Sequence, residues 1–202
     1  MGCSRELISL INQTSSLAVE LQNGTSDHGE PNADLVKKAA TILESLSSLQ
    51  QVLRHGSANE VSMVQIAETK RLSAMLYLHN RILSQLPSFT IGNSLTIPLA
   101  YLQDTIIDAL RMLPTNSGAL LWPLFMLGKS NLHRADQVDF VLDRLAQLER
   151  SRYLGSVYHA RRRVERDIRK RVEESHLEKS RQKKCNHHEE VMCENERWVS
   201  LA

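Results

Sequence analysis

The chain has 202 residues, 42% of them hydrophobic, with only 8 glycines and 5 prolines; that suffices for one ordinary core with room for a tail, and excludes a disordered chain. A formal net charge of +2 gives no field of the strength that marks a general nucleic-acid binder, and no stretch approaches the roughly 20 apolar residues that span a bilayer as a helix. Leu, Ala, Glu, Gln, Arg and Lys dominate, and because their side chains lose little rotamer freedom on a helix, composition alone points to helices.

Leu7, Leu10, Ile11, Leu17, Ala18 and Leu21 recur at helical spacing, and Asn23-Gly24 is a left-handed terminator for that first helix. Thr25 to Pro31 reads as a loop. After Asn32 or Asp34 as cap, Leu35, Ala39, Ile42, Leu46, Leu49 and Leu53 alternate steps of four and three, an a/d stripe that Val36, Leu43 and Val52 widen. That width predicts a globular helix and not a free coiled coil.

A third helix is predicted from Ala58 to Leu86, carrying Val64, Ala67, Leu72, Met75, Leu76, Leu78, Ile82 and Leu83 and ended by Pro87. A loop through Gly92-Asn93 leads to Thr96 as cap with Pro98 in the first turn, and Leu99, Leu102, Ile106, Leu110 and Leu113 mark a fourth buried face that Pro114 closes. The run from Ser117 to Gly128 is apolar on every side, which places it at the centre of the core, and Pro123 inside it predicts a kink. Leu124 and Phe125 within it read as core residues.

Val138, Val141, Leu142, Leu145 and Leu148 give Ala135 to Glu149 one inward face. From Val157 a long helix runs toward Lys184 with only Val157, Val164, Ile168 and Val172 as its apolar stripe, so it should be peripheral and solvated. A last short helix from Asn186, with Glu189 as its capping-box partner, would return Val191, Trp198 and Leu201 to the body. The pattern holds no strand signal. It predicts an all-α fold, an irregular array of about seven helices, with 1–155 as a helical domain and 156–202 as a charged helix and returning segment.

Charge is unevenly spread: Arg161 to Lys184 contains eleven Lys or Arg against five Asp or Glu, a local net of +6. Arg161-Arg162-Arg163 and Arg169-Lys170-Arg171 are two cation clusters that would suit phosphates or an import receptor. Glu165, Asp167, Glu173 and Glu174 are interleaved at helical spacing and can pair with them, so the segment reads first as a solvated charged face.

Cys3, Cys185 and Cys193 are the three cysteines, an odd number in a chain that needs no staples, and a reducing compartment fits them. The sequons at Asn12 and Asn23 matter only after secretion, and the N-terminus has no apolar run for a signal peptide. Met1-Gly2-Cys3 lacks the Ser or Thr of a myristoylation signal, since Glu6 stands there. Cys185, His187, His188 and Cys193 bring together two thiols and two imidazoles, but structural zinc sites pair close cysteines with a second, distant pair, and this spacing does not. The segment reads as a polar linker, and zinc is expected to have no structural role. His79, on an apolar helix face, and Trp122 read as core. There is no Gly-rich phosphate loop, nucleophile elbow or paired His-Glu zinc motif, so the expectation is a non-enzyme with no catalytic, cofactor or metal residue.

Several segments resemble one family, the fungal-specific transcription factor domain found downstream of binuclear zinc clusters. They are Gly2-Cys3-Ser4-Arg5-Glu6-Leu7, Ala67-Glu68-Thr69-Lys70-Arg71-Leu72 through Leu76-Tyr77-Leu78-His79, Leu120-Leu121-Trp122-Pro123-Leu124-Phe125, and Asp139-Phe140-Val141-Leu142-Asp143-Arg144-Leu145. They follow the family's order, and Trp198-Val199-Ser200-Leu201-Ala202 resembles its usual end. The resemblance implies the later half of a helical regulatory domain that works in the nucleus through partner or effector binding and dimer contacts. A cytoplasmic helical interaction protein unconnected with transcription is the alternative. The family's zinc cluster needs six cysteines, so its DNA contacts transfer to no residue here. A first helix starting at the initiator methionine without a leading cap suggests a chain cut within an element. An exposed apolar face on Leu7, Leu10, Ile11, Leu17 and the stripe from Leu35 to Leu53, with self-association through it, is the corresponding expectation.

Overall fold

The computed structural model describes residues 4–24, 33–50, 60–86, 97–132, 134–152 and 155–174. These form seven α-helices: α1 (Arg5–Gly24), α2 (Ala33–Ser48), α3 (Glu60–Arg81), α4 (Leu99–Arg111), α5 (Leu121–Lys129), α6 (Ala135–Arg152) and α7 (155–174). Short 3-10 turns at Leu83–Gln85 and Gly118–Leu120 join them, and there is no strand among the described residues. The all-α expectation holds. Two compact units divide the chain, Met1–Arg161 and Arg162–Ala202, with the boundary inside α7. The expected last helix from Asn186, the Thr96 cap, Leu53 and the group Cys185, His187, His188 and Cys193 lie outside the described residues.

In the first unit α3 is the axis, packing against α1, α2, α4 and α5, while α1 and α2 pack on each other and α6 packs on α5. Its sequence explains the position. Ala67, Leu72, Ala74, Met75, Leu76 and Leu78 are all buried, as are Thr69 and Ser73 between them, so α3 is enclosed on more than one side. The two hydroxyls are satisfied locally: Thr69 donates to the Gln65 carbonyl and Ser73 to the Thr69 carbonyl, each at 2.7 Å. The apolar run of 118–128 lies in the core as expected, with Leu120, Leu124 and Leu127 fully buried and α5 packed on both α3 and α6.

Helix ends differ from the sequence pattern for identifiable reasons. α1 does have a cap: the Leu7 amide donates to Ser4 Oγ at 3.1 Å, the usual N-terminal serine arrangement, and the helix begins at Arg5. Asp34 is not the cap of α2 but lies in its first turn, where a carboxylate favours the helix dipole. α2 stops at Ser48, although the a/d stripe runs on to Leu53. Ser45, Ser47 and Ser48 each donate back to the carbonyl four residues earlier, which weakens the last turns. α3 gives way at Ile82 to a 3-10 turn, and Leu86 is extended at φ −113° and ψ 80°, as a residue before proline must be. Pro98 occupies the N-cap of α4, not its first turn. Pro123 is the third residue of α5, inside the first turn where its missing N–H has no intrahelical partner to lose; it starts the helix and does not kink it.

The exposed apolar face expected on α1 and α2 is absent among the described residues. Leu7, Leu10, Leu17, Leu35, Ala39, Ile42, Leu46 and Leu49 are all buried and Ile11 half-buried, so these helices close their own core with α3. The large apolar side chains that do face solvent, such as Ile8, Val61, Tyr101 and Met112, are scattered over several elements. Within α5, Leu124 is fully buried but Phe125 and Trp122 are only half-buried. Leu124→Ala should therefore cost about 2–5 kcal/mol and Phe125→Ala clearly less than a fully buried aromatic would, a comparison urea denaturation can make directly.

Candidate functional site

The polar faces of α1 and α2 meet in a groove. Each helix turns its leucines toward α3, and the next ridge over is polar: Ser9, Asn12, Gln13, Ser16 and Glu20 on α1, Asp34, Lys37, Lys38 and Thr41 on α2. Small side chains at Ser9, Ser16 and Thr41 leave a space of about 570 Å³ between the helices, with the buried Leu17 and Ile42 lining it. Ligand sites commonly measure about 300–1,000 Å³. Most of the lining residues are polar or charged, although their carbon atoms present more of the surface than their nitrogen and oxygen atoms do.

One end of the groove carries a three-charge network. Lys38 Nζ donates to Glu20 at 2.9 and 3.2 Å and lies 2.9 Å from Asp34. The hydrogen bond to Asp34, then that to Glu20, holds the ammonium pKa above its ordinary value. Along the walls, Gln13 Nε2 donates to Ser9 Oγ at 3.3 Å and Thr41 Oγ1 to the Lys37 carbonyl at 3.0 Å. The arrangement offers donors, acceptors and both signs of charge without a nucleophile-base pair.

Two arginines in the family-like segments have structural tasks. Arg71 is held by Glu68 through Nε at 2.8 Å and Nη2 at 2.6 Å, and its Nη1 donates to the Leu46 carbonyl at 2.6 Å. That carbonyl belongs to the last turn of α2. Arg144 on α6 is 8% exposed and its Nη2 donates to the Leu110 carbonyl and, at 2.8 Å, to the Leu113 carbonyl. Both carbonyls lie at the end of α4, where Leu110 also accepts from the Leu113 amide at 3.3 Å and a guanidinium complements the helix dipole. The guanidinium carbons of Arg144 and Arg111 lie 5.7 and 5.4 Å from the Phe140 ring centroid. Burial lowers the Arg144 pKa. Neither cap is legible from spacing, because an arginine on a helix carries no sign of which carbonyl it will reach.

A polar knot ties α4 to the α5–α6 connection. The buried Gln103 donates from Nε2 to Ser130 Oγ and the Asn131 carbonyl, both at 3.1 Å, while Gln137 donates to Asp104 at 2.9 Å. Gln103 Oε1 has no hydrogen-bond partner among the described residues, and the same is true of Asn80 Nδ2 and His79 Nδ1. His79 is half-buried, short of the full burial expected for it, and desolvation lowers its imidazole pKa. Of the basic clusters, Arg161 pairs with Glu149. Arg162, Arg163, Arg169 and Lys170 are exposed and Arg171 half-buried on α7. No three His, Cys, Asp or Glu side chains come together as a metal site among the described residues.

Over residues 1–200 the chain matches the fungal specific transcription factor domain, and it belongs to that family. This is a family of transcription-factor regulatory domains and not of enzymes. No curated protein and no solved structure matches the chain.

Proposed function

We propose that the chain is the regulatory module of a fungal zinc-cluster-type transcription factor, acting in the nucleus through a protein partner or small effector, without catalysis and without reading DNA sequence. The family match over residues 1–200 carries this reading. Three cysteines cannot supply the six of a binuclear cluster, which supports leaving sequence recognition to another part of the regulator. The α1–α2 groove is the contact site: its hydroxyls, amides and paired charges suit a polar effector or a polar peptide segment.

The test is a reporter gene driven by this chain tethered to an unrelated DNA-binding domain. Ser16→Trp, made at an exposed position on the groove wall, should change reporter output severalfold while leaving the thermal midpoint of the purified protein in place. Unchanged output from a folded Ser16→Trp protein would remove the groove as the contact site. A tethered wild-type chain that neither raises nor lowers transcription would overturn the regulatory reading itself.

A further inference from the structure

We propose that the exposed face of α7 between Arg162 and Lys170 holds the phosphate backbone of double-stranded DNA without reading its sequence. This goes beyond the regulatory reading and is independent of the α1–α2 groove. Arg162, Arg163, Arg166, Arg169 and Lys170 are all exposed. The other four lie three or four residues from Arg166, so all five fall within an arc of about 120° and a length of about 12 Å. The side of α7 away from them carries Val164, which is fully buried, and the half-buried Ile168 and Arg171.

Pairing with interleaved carboxylates would neutralise such a stripe, and the geometry here does so only in part. Glu165 and Asp167 sit at its flanks, with side chains 26% and 21% exposed, and approach Arg162 and Arg163 at 3.7 and 3.6 Å. At that length the pairs are loose, and the arginines, 59% and 58% exposed, keep their guanidinium heads open to solvent. Arg166, Arg169 and Lys170 have no ion-pair partner among the described residues, and the next carboxylates, Glu173 and Glu174, come only at the end of the helix.

Charge and shape together select the occupant. Single strands are gripped by stacking bases on aromatic rings, and 162–174 contains no Phe, Tyr or Trp. Neither Asn nor Gln is present in that stretch to read adenine edges. A ladder of cations without aromatic or amide readers is suited to duplex phosphates, whose neutralisation releases counterions. Such a contact would add sequence-independent hold to a regulator whose recognition lies elsewhere.

Fluorescence anisotropy of a labelled duplex with the full chain, over a salt series, tests this. Binding should be the same for unrelated sequences, with log K against log[salt] falling at a slope of about −4.5, the value for five neutralised phosphates. The triple variant Arg166→Gln, Arg169→Gln, Lys170→Gln should remain folded by circular dichroism, bind at least tenfold more weakly at low salt, and show a slope of about −2. Removing three exposed cations elsewhere, Arg5→Gln, Arg81→Gln and Lys129→Gln, should change the slope little. Four results would overturn the proposal: no binding at low salt, an unaffected α7 variant, an equal loss in the control variant, or phosphatidylserine vesicles displacing the duplex as well as unlabelled duplex does at equal charge.

Discussion

Leu76→Ala should destabilise the protein by about 3–5 kcal/mol, a large part of the roughly 5–15 kcal/mol that holds a typical domain folded. Leu76 is fully buried on α3, the helix that packs against α1, α2, α4 and α5. Removing its three outer carbons loses transfer free energy, and the cavity left behind cannot collapse because neighbours from several directions are held by their own contacts. Guanidinium denaturation would read the change as a lower midpoint with an unaltered slope. Val64→Ala on the same helix, at a position 39% exposed, should stay within about 0.5 kcal/mol. A loss below about 1 kcal/mol for Leu76→Ala would show that α3 is not the enclosed axis of the unit.

Arg144→Met should cost about 2–4 kcal/mol although it keeps much of the apolar stem. The variant removes the buried side-chain donor from the Leu110 and Leu113 carbonyls, of which Leu110 keeps the Leu113 amide, and takes the cation from the end of α4. Burial lowers the pKa of this arginine, but guanidinium starts so high that the charge persists at neutral pH. Arg144→Lys should recover only part of the loss, since an ammonium on a flexible stem lacks the planar fork that serves two acceptors. Amide hydrogen exchange should localise the damage to the last turn of α4. Equal stability of Arg144→Met and wild type would mean that water replaces the cap, and would free this family-like segment for a binding role.

These two residues illustrate different degrees of legibility. Leu76 was readable as a core residue from helical spacing, but the rank of its helix was not. α3 has apolar or small residues at nearly every position from Leu72 to Leu76, which blurs any single stripe, and such blurring is what enclosure on several sides looks like in one dimension. The run at 118–128 shows the same blurring, and nothing in either segment says which has neighbours on more sides. Arg144 was legible only as part of a resemblance. The polar ridge of α1 and that of α2 can each be picked out on a helical wheel, yet the groove exists only where they face each other.

The sequence by itself determined the all-α class, the existence of each described helix, most of the buried leucines and the family. Those properties follow from periodicity and composition, which act over a few turns of chain. Tertiary structure decided the rest. It made α3 the axis, closed the α1–α2 stripe that looked open, and ended α2 at its serines with Arg71 reaching the Leu46 carbonyl. The physical reason is common to all three. Each depends on which surface a helix meets across tens of residues of sequence, or on how far a side chain's burial turns it from solvent. Helical spacing specifies the faces that one helix has available and leaves open what will cover them.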